Sequence, residues 1–586
     1  MKSSTRPGLE SRRVALAAWI RANKLPLQAA ALTASVYAAM VLIMWGAYNV
    51  FSGFPYETGL IYNSETHPGL LGFYYTADRL RLYESNFYHL GYVLGELLGV
   101  GGSYVPYQVV YASLWWARGF LVYLLIRSFM PARVMLAYVA GALVLVHASD
   151  GALQWVGQMN QVGFIFWTLA AFLAVTMALE TPWKFSIPWI ILAGLLEHRS
   201  LWSYESQIFL ILVFPLVLIL HPRRRWGKLA AIAALWYIVP AIYVRLTIER
   251  YASTHNTYQE SVARKSWTAA SIASDWWFNI SSSLEFWKWV RGPWRGSVVS
   301  AELLSLLLAV AFLAGGVVLV RLRGAAQGTE LDFRRLSWFL IVGAAVLALS
   351  FPVYLILDSA RGLWRTQMLS GMGAGVVLAG LAGFAAMAVW RPAWRTTAFL
   401  LLGSAVAFEG SLAAIQRGAT HRFIWERHRM AIREVLQVAP SVHSGTLLIL
   451  TGINPEEDPF GDDLWFDFAL RLIYPNMLVS GEYFYSSGAP APGNNFAMQD
   501  GEWVWNGNGI APLVKKAPIA QTIVVRYDPS GKGQLETAYP RPLCTPHCSS
   551  AGEYRPENMI TGPVALRTLR RYNLKPDFAN APNPRD

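Results

Sequence analysis

Three of the carboxylates in the long polar stretch between the first two apolar segments of the chain are the first candidates for chemistry. Glu57, Glu65 and Asp78 occur within residues 51–103, a segment interrupted by prolines and glycines. A carboxylate held beside a substrate hydroxyl can take its proton and so act as a general base. Because lone surface carboxylates are common in proteins, an ordinary solvated acid is the alternative interpretation for each of them.

The second half of this segment has the period of an amphipathic helix. Apolar residues recur there at steps of three and four, which places them on one helical face; they are Leu80, Tyr83, Phe87, Leu90, Leu94 and Leu97. A helix of this kind lying at a membrane surface would hold Asp78, which would open it, just above the bilayer. We therefore favour Asp78 as the base, with Glu57 and Glu65 as alternatives.

Two arginines, Arg361 and Arg365, are four residues apart and would share one helical face. Two guanidinium groups in this arrangement can hold a phosphate through several charge-assisted hydrogen bonds. The nearby Asp358 offers the alternative, which is an ordinary Asp–Arg charge cluster at a membrane edge. The spacing therefore favours a phosphate site without excluding simple ion pairing.

Further polar groups stand in otherwise apolar surroundings. Glu197, His198, Tyr204 and Glu205 occupy a short turn between two apolar segments, and Arg118 lies inside the apolar run LWWARGF. Charge placed at membrane depth is costly unless it has a partner or faces a water-filled cavity. We interpret these five residues as candidates for substrate binding, and structural pairing is an equally good interpretation for Arg118. The sequence contains no Walker loop, GxSxG elbow or HExxH motif.

The composition indicates a polytopic membrane protein. Of the 586 residues, 54% are hydrophobic and 15% are charged, against about 25% charged in soluble domains. The net charge of +13 comes from short basic clusters between apolar runs, which is typical of orientation signals and argues against nucleic-acid binding. The N-terminal segment is basic and is followed by a full-length span, so we expect no cleavable signal peptide.

About eleven apolar segments have lengths suited to membrane helices. They are predicted at 26–50, 104–126, 134–147, 162–179, 185–196, 207–220, 229–246, 301–320, 336–357, 368–390 and 398–415. Basic residues occur before the first segment and in alternate connections, which the positive-inside rule assigns to the cytoplasm. We therefore expect residues 1–25 to be a cytoplasmic basic N-terminus, 26–416 to be the transmembrane domain with an outer loop at 51–103, and 417–586 to lie on the opposite side.

Residues 417–586 have the pattern of a small α/β domain. TLLILTGINP predicts a buried strand and turn, DDLWFDFALRLIYP a helix, and QTIVVRYDPSGKGQLETAY two strands joined by a turn. The domain contains both cysteines of the chain, Cys544 and Cys548. In an oxidising compartment they would most simply form a disulfide, whereas a metal site with His547 would lack a complete set of ligands.

The layout as a whole resembles the GT-C superfamily of membrane glycosyltransferases, in particular bacterial proteins of the protein mannosyltransferase and aminoarabinose transferase type. The likeness rests on the first span, the acid-bearing loop with FYYTADRLRLYES, the many further spans and the C-terminal domain. SLWSYESQ, which contains Tyr204 and Glu205, is similar to a Tyr-Glu segment in such proteins. Many of them carry two adjacent acids soon after the first span, and this chain has no such pair.

The resemblance implies a polytopic α-helical GT-C-like fold in a bacterial inner membrane and an inverting transfer of a sugar. The donor would be a sugar on a polyprenyl phosphate, with its phosphate near Arg361 and Arg365, and the acceptor a glycan, lipid or protein. One outer-loop carboxylate would act as base. Some members of the superfamily use a divalent metal ion, but the sequence shows no definite set of ligands for one.

Two other classes of protein remain open. A transporter or flippase of lipid-linked sugars would usually contain internal repeats, and none is evident in the sequence. A non-catalytic membrane scaffold with a partner-binding outer domain would tolerate loss of the outer acids. A map showing Asp78 and Arg361 facing one pocket would favour the enzyme.

Overall fold

The structure is a computed structural model in which contacts divide the chain into two compact units. The first unit comprises Met1–Ala47, Ala112–Leu153 and Gln161–Arg417, and the second comprises Tyr48–Tyr111, Gln154–Asn160 and Gly418–Asp586. Residues 51–103, which were predicted to form the outer loop, thus belong to the same unit as residues 418–586. The residues that the structure describes are 24–46, 48, 52–53, 58–66, 80–149, 155–253, 263–265, 267–290, 300–323, 331–356, 367–507, 512–528, 532–540, 543 and 551–578.

Up to residue 438, the regular elements among the described residues are helices, which turns and loops connect. The helices, numbered in chain order, are α1 (Lys24–Gly46), α2 (Thr58–Thr66), α3 (Asn86–Leu97), α4 (Val105–Phe129), α5 (Val134–Leu145), α6 (Met159–Glu180), α7 (Trp183–Leu201), α8 (Ile208–Val217), α9 (Trp226–Trp236), α10 (Ile238–Ser253), α11 (Ala269–Leu284), α12 (Ala301–Arg323), α13 (Phe333–Leu349), α14 (Gly371–Met387) and α15 (Pro392–Val438).

Within the described residues, seven helical segments are long and apolar enough to cross a membrane, and three shorter apolar helices accompany them. The prediction of a multi-pass α-helical membrane protein is therefore confirmed. The predicted number of eleven spans is not confirmed, because α5, α8 and α14 fall short of full spanning length and α7 is not among the seven long apolar segments.

Close helix packing organises the first unit around α5 and α14. Every residue of α5 is buried, as expected for a helix that is apolar on all sides. The Gly- and Ala-rich α14 packs tightly against its neighbours. A Cβ added at Gly373 would lie 2.3 Å from the backbone nitrogen of Leu347, and one at Gly375 would lie 2.7 Å from that of Val144. Small residues allow this approach of helix backbones in membrane proteins.

The C-terminal part of the second unit is an α/β domain, as predicted. Its strands are β1 (Ser441–Val442), β2 (Leu447–Ile453), β3 (Ser480–Tyr485), β4 (Phe496–Gln499), β5 (Glu502–Trp505), β6 (Lys516–Pro518), β7 (Thr522–Arg526), β8 (Gln534–Leu535) and β9 (Ile560–Thr561), and its helices are α16 (Asp463–Ile473) and α17 (Leu566–Arg571).

One four-stranded sheet forms the centre of this domain in the order β3-β2-β7-β8. Strand β2 pairs in parallel with β3 and β7, so that Leu448 lies between Gly481 and Ile523, and β8 is antiparallel to β7. Parallel neighbours need a crossover, and α16 supplies it between β2 and β3. The β7–β8 pair is the predicted strand–turn–strand. The small sheets β1-β9 and β4-β5-β6 were not predicted.

The predicted amphipathic helix after the first span is shorter than expected, and its buried face is different. Helix α3 begins at Asn86, eight residues after Asp78, so Asp78 does not open it. Leu90 and Leu97 are exposed, whereas Gly91 and Gly95 are buried. The physical reason is again the absence of a side chain: a Cβ at Gly91 would lie 2.5 Å from the ring of Tyr107.

Candidate functional site

Several of the predicted site residues lie outside the part of the chain that the structure describes. These are Glu57, Asp78, Arg361, Arg365, Cys544 and Cys548. Their proposed roles stay predictions. The remaining candidates, Glu65, Arg118, Glu197, His198, Tyr204 and Glu205, are described.

Glu65 is held in a buried ion cluster of the second unit. Its carboxylate accepts hydrogen bonds from Arg571 Nη2 at 2.8 and 2.7 Å and from the hydroxyl of Tyr107 at 3.2 Å. Arg567 Nη2 lies 3.3 Å from the same carboxylate. The side chain of Glu65 is 10% exposed and that of Arg571 is fully buried. A pair this deeply buried is stable only when its geometry and remaining hydrogen bonds are good.

The two arginines come from α17 and are four residues apart, so they lie on one helical face. Arg567 also contacts Glu96 of α3 at 2.8 Å, and its guanidinium lies over the ring of Tyr92. Burial raises the pKa of Glu65, but the charges of Arg571 and Arg567 outweigh it and lower the pKa from its ordinary value. An ion-paired carboxylate with a lowered pKa is a weak base. The geometry therefore favours an anchoring role for Glu65.

Arg118 is fully buried inside α4, and its partners are backbone oxygens. Nη2 donates to the carbonyl of Val144 at 2.7 Å and Nη1 to that of Met368 at 3.4 Å. Its guanidinium lies 4.1 Å from the centre of the Trp115 ring, within cation–π distance. Arg118 thus has the internal partners that its place in an apolar run requires.

A second cation, the half-buried Arg417, lies with His147 and Trp289 in the first unit. Arg417 donates to the carbonyls of Ala148 and Trp289, the latter at 3.2 Å. The ring of His147 packs edge-on against Trp289 with centroids 4.8 Å apart, and its Nε2 lies 3.2 Å from the carbonyl of Ser283. This group therefore links α15 to the chain segment that follows α11.

A network of uncharged polar side chains includes Ser283, whose carbonyl contacts His147. Ser283 donates to the amide oxygen of Gln367 and lies 2.9 Å from the hydroxyl of Ser370. The amide nitrogen of Gln367 donates to Asn279 at 2.8 Å. All four side chains are buried. We use the name polar cluster for these residues of the first unit: Arg118, His147, Asn279, Ser283, Gln367, Ser370 and Arg417.

The predicted turn at the end of α7 divides into an aromatic and a polar part. His198 stacks on Trp202 with centroids 4.1 Å apart, and Tyr204 stacks on Phe164 at 5.3 Å. Glu205 is half-buried. Glu197 is completely buried, and neither of its carboxylate oxygens has a hydrogen-bond partner among the described residues. Such a group in a native structure calls for an explanation, such as protonation or an unseen donor.

Near Glu197, α7 and α6 are joined by hydroxyl groups. Ser200, one turn after Glu197, lies 2.7 Å from the hydroxyl of Thr168 and accepts a hydrogen bond from Gln207 at 2.8 Å. Arg118 belongs to the polar cluster, whereas the α7 turn has contacts of its own.

The C-terminal domain contains further buried acids that the sequence analysis did not single out. Burial and the neighbouring carboxyl of Asp462 raise the pKa of Asp463 to about 8. Burial, together with Asp463, raises the pKa of Glu482 well above its ordinary value. Burial also raises the pKa of Asp467, although its partner Arg471, at 2.5 Å, acts in the opposite direction. These acids form no metal centre: within the described residues, no three His, Cys, Asp or Glu side chains are grouped to hold a metal ion.

The residues that sequence analysis missed had different signals. Arg567 and Arg571 have the same four-residue spacing as Arg361 and Arg365, so the sequence already contained the pattern that could have identified them as a pair. His147, Gln367 and Arg417 each stand next to an apolar run. Only the three-dimensional packing brings them into the polar cluster.

No family model and no curated protein matches the chain. A solved structure is similar to it, that of ArnT from Cupriavidus metallidurans bound to undecaprenyl phosphate. The similarity covers 78% of this chain and 86% of that one, with 14% sequence identity and a TM-score of 0.35.

Proposed function

We propose that the protein is a membrane glycosyltransferase that moves a sugar from a polyprenyl-phosphate donor to an extracytoplasmic acceptor with inversion. The observation that supports this proposal is the polar cluster, which places a buried arginine, a half-buried arginine, a histidine and four neutral polar side chains among apolar helices. Ionisable groups in such surroundings usually mark a path for a substrate or ion. The guanidinium groups of Arg118 and Arg417 suit an anionic lipid headgroup.

The phosphate of the donor is proposed to bind Arg361 and Arg365. These residues come six and two positions before Gln367 of the polar cluster in the sequence, so we expect the predicted clamp to lie near the cluster. Guanidinium groups bind phosphate oxygens in pairs and keep their charge at any physiological pH. They would stabilise the negative charge that develops on the departing phosphate.

The proposed reaction is a single displacement. A carboxylate takes the proton from the acceptor hydroxyl while its oxygen attacks the anomeric carbon. The bond from this carbon to the phosphate oxygen breaks, and polyprenyl phosphate leaves with the bonding electrons. One base and no carboxylate nucleophile give inversion. We propose Asp78 as the base and Glu57 as the alternative, while Glu65 anchors the same segment through Arg571.

The remaining candidates are assigned to substrate binding around this reaction. Glu197, His198, Tyr204 and Glu205 would contact the sugar or the acceptor, and Arg118 would contribute positive charge to the headgroup.

We further propose a bacterial inner-membrane location with a cytoplasmic N-terminus and an extracytoplasmic C-terminal domain. The support is the distribution of basic residues between the apolar segments. A disulfide between Cys544 and Cys548 would fit this compartment.

The phosphate clamp is tested by the binding of undecaprenyl phosphate to the full chain in lipid nanodiscs. Loss of a charge-assisted contact costs roughly 1.5–3 kcal/mol, so Arg361→Ala or Arg365→Ala should weaken binding about tenfold to a hundredfold. Lysine at either position should recover part of the loss, since it lacks the bidentate fork. Arg391→Ala, which removes an exposed arginine at the start of α15, is the control. Wild-type affinity in both alanine variants would contradict the clamp.

A further inference from the structure

We propose that the first unit binds a phospholipid with a primary ammonium headgroup, of the phosphatidylethanolamine type, in a groove between α12 and α15. The groove has a volume of about 500 Å³. Its walls are mainly apolar, and it contains one acid. It is lined by Phe286, Trp287, Leu306, Ala309, Ser404, Ala405, Phe408 and Glu409.

The shape of the groove follows from the packing of the two helices. Small residues at Ala309 and Ala405 leave space where larger side chains would close the gap. At its floor the hydroxyl of Ser404 donates to the carbonyl of Ala309 at 3.4 Å, so this polar group is already satisfied. The apolar part of the groove therefore suits a hydrocarbon chain, which needs no hydrogen bonds.

Glu409 is the feature that selects the headgroup. It is half-buried in a helix that is apolar enough to cross a membrane, and within the described residues its carboxylate forms no ion pair or hydrogen bond. The nearest arginine farther along α15 is Arg417, which donates to backbone carbonyls instead. A carboxylate at such a site is costly unless a cation joins it.

The carboxylate of Glu409 favours a primary ammonium headgroup over a quaternary one. A primary ammonium presents three N–H donors to a carboxylate, as a lysine does. A quaternary ammonium has no N–H donor and would interact through its charge alone. Trp287 is 61% exposed and is followed by Lys288, an aromatic and basic pair typical of headgroup level. The mouth of the groove therefore lies where a lipid headgroup would lie.

A second groove of the same unit provides a natural comparison. It has a volume of about 710 Å³, lies along α10 and is lined mainly by apolar residues together with Arg245 and Glu249. Here the acid already has a cation, because Arg245 Nε lies 2.8 Å from the carboxylate of Glu249. This groove should take lipids without preference for an ammonium headgroup. The two grooves thus differ in whether their acid is paired.

The test is the retention of phosphatidylethanolamine against phosphatidylglycerol by the purified full chain, measured by native mass spectrometry from mixed detergent–lipid micelles. The wild-type protein should prefer phosphatidylethanolamine over phosphatidylglycerol and over phosphatidylcholine. Glu409→Gln should lower this preference roughly tenfold, since it removes one charge-assisted contact. Glu249→Gln, which changes an acid of the other groove in the same way, should leave the preference unchanged.

Two further variants distinguish the part of the groove proposed to hold the hydrocarbon chain from the part proposed to hold the headgroup. Ala405→Trp, at an exposed position in the groove, should reduce retention of all three lipids by filling the space of the hydrocarbon chain. Glu409→Lys should invert the preference towards phosphatidylglycerol. Equal retention of the lipids by the wild-type protein, or an unchanged preference in Glu409→Gln, would overturn the proposal. Neither result depends on glycosyl transfer.

Discussion

The substitution Glu65→Gln should destabilise the second unit strongly, because it leaves the guanidinium of Arg571 buried without its anion. Arg571 is fully buried, and its Nη2 makes both short contacts to Glu65. Removing one partner of a buried pair costs about 3–5 kcal/mol. For a unit of this size each kcal/mol lowers the unfolding midpoint by about 2–4 °C, so the expected decrease is roughly 6–20 °C.

The assay is thermal unfolding of the full chain in detergent, followed by size-exclusion fluorescence and by intrinsic tryptophan fluorescence. Glu249→Gln is the matched control, because its partner Arg245 is 81% exposed and lies at a similar distance of 2.8 Å. Solvent screens such an exposed pair, so no measurable shift is expected there. In the double variant Glu65→Gln/Arg571→Met, the unfolding midpoint should decrease by less than the sum of the decreases in the two single variants, since the partners share one interaction.

If the unfolding midpoint decreases no more in Glu65→Gln than in Glu249→Gln, the anchoring role of the Glu65–Arg571 pair is refuted. Additive losses in the double variant would also contradict it. The pH dependence supplies an independent check. The pKa of Glu65 is lowered in the folded protein, so its contribution to stability is present above the ordinary pKa. This contribution should be lost as the pH falls through the lowered value.

Three further predictions concern the base, the buried acids of the C-terminal domain and the topology. Asp78→Asn should reduce glycosyl transfer by a factor of about 10² to 10⁴ while donor binding survives; a loss in Glu57→Gln instead would move the base to that residue. Because the folded-state pKa values of Asp463 and Glu482 are raised, the unfolding midpoint should fall as the pH rises from about 5 to 8. Glu482→Gln should weaken this decrease, and an equal decrease in both proteins would contradict the assignment. Reporter fusions at Lys184 and Gly452 should report opposite sides of the membrane, and a cytoplasmic signal from both would rule out the proposed orientation.

The sequence predicted the helices and the central sheet well because both depend on local patterns. The apolar run Leu447–Ile453 and the amphipathic stretch Asp463–Ile473 became β2 and α16 as expected. The same rule failed for α3. There the pattern put Leu90 and Leu97 inside, whereas the close approach of Tyr107 to Gly91 decided which face was buried. Periodicity alone does not reveal such a contact.

The candidate site was predicted less completely because its members are far apart in the chain. Arg571 meets Glu65 across 506 residues, and Arg118 reaches the carbonyl of Met368 across 250. A carboxylate in a loop has the same appearance in sequence whether it is a base or an anchor. The difference for Glu65 lies in two arginines of α17, whose positions only the fold determines.

Sugar transfer from a lipid phosphate is tested most directly by the fate of the donor. The purified full chain in proteoliposomes is given a panel of polyprenyl-phosphate monosaccharides together with a membrane lipid and glycan extract as acceptor. The proposed function predicts release of free polyprenyl phosphate in equal amount to a new glycoside of inverted anomeric configuration, with both lost in Asp78→Asn. Movement of intact donor across the bilayer without cleavage of its sugar–phosphate bond would contradict it.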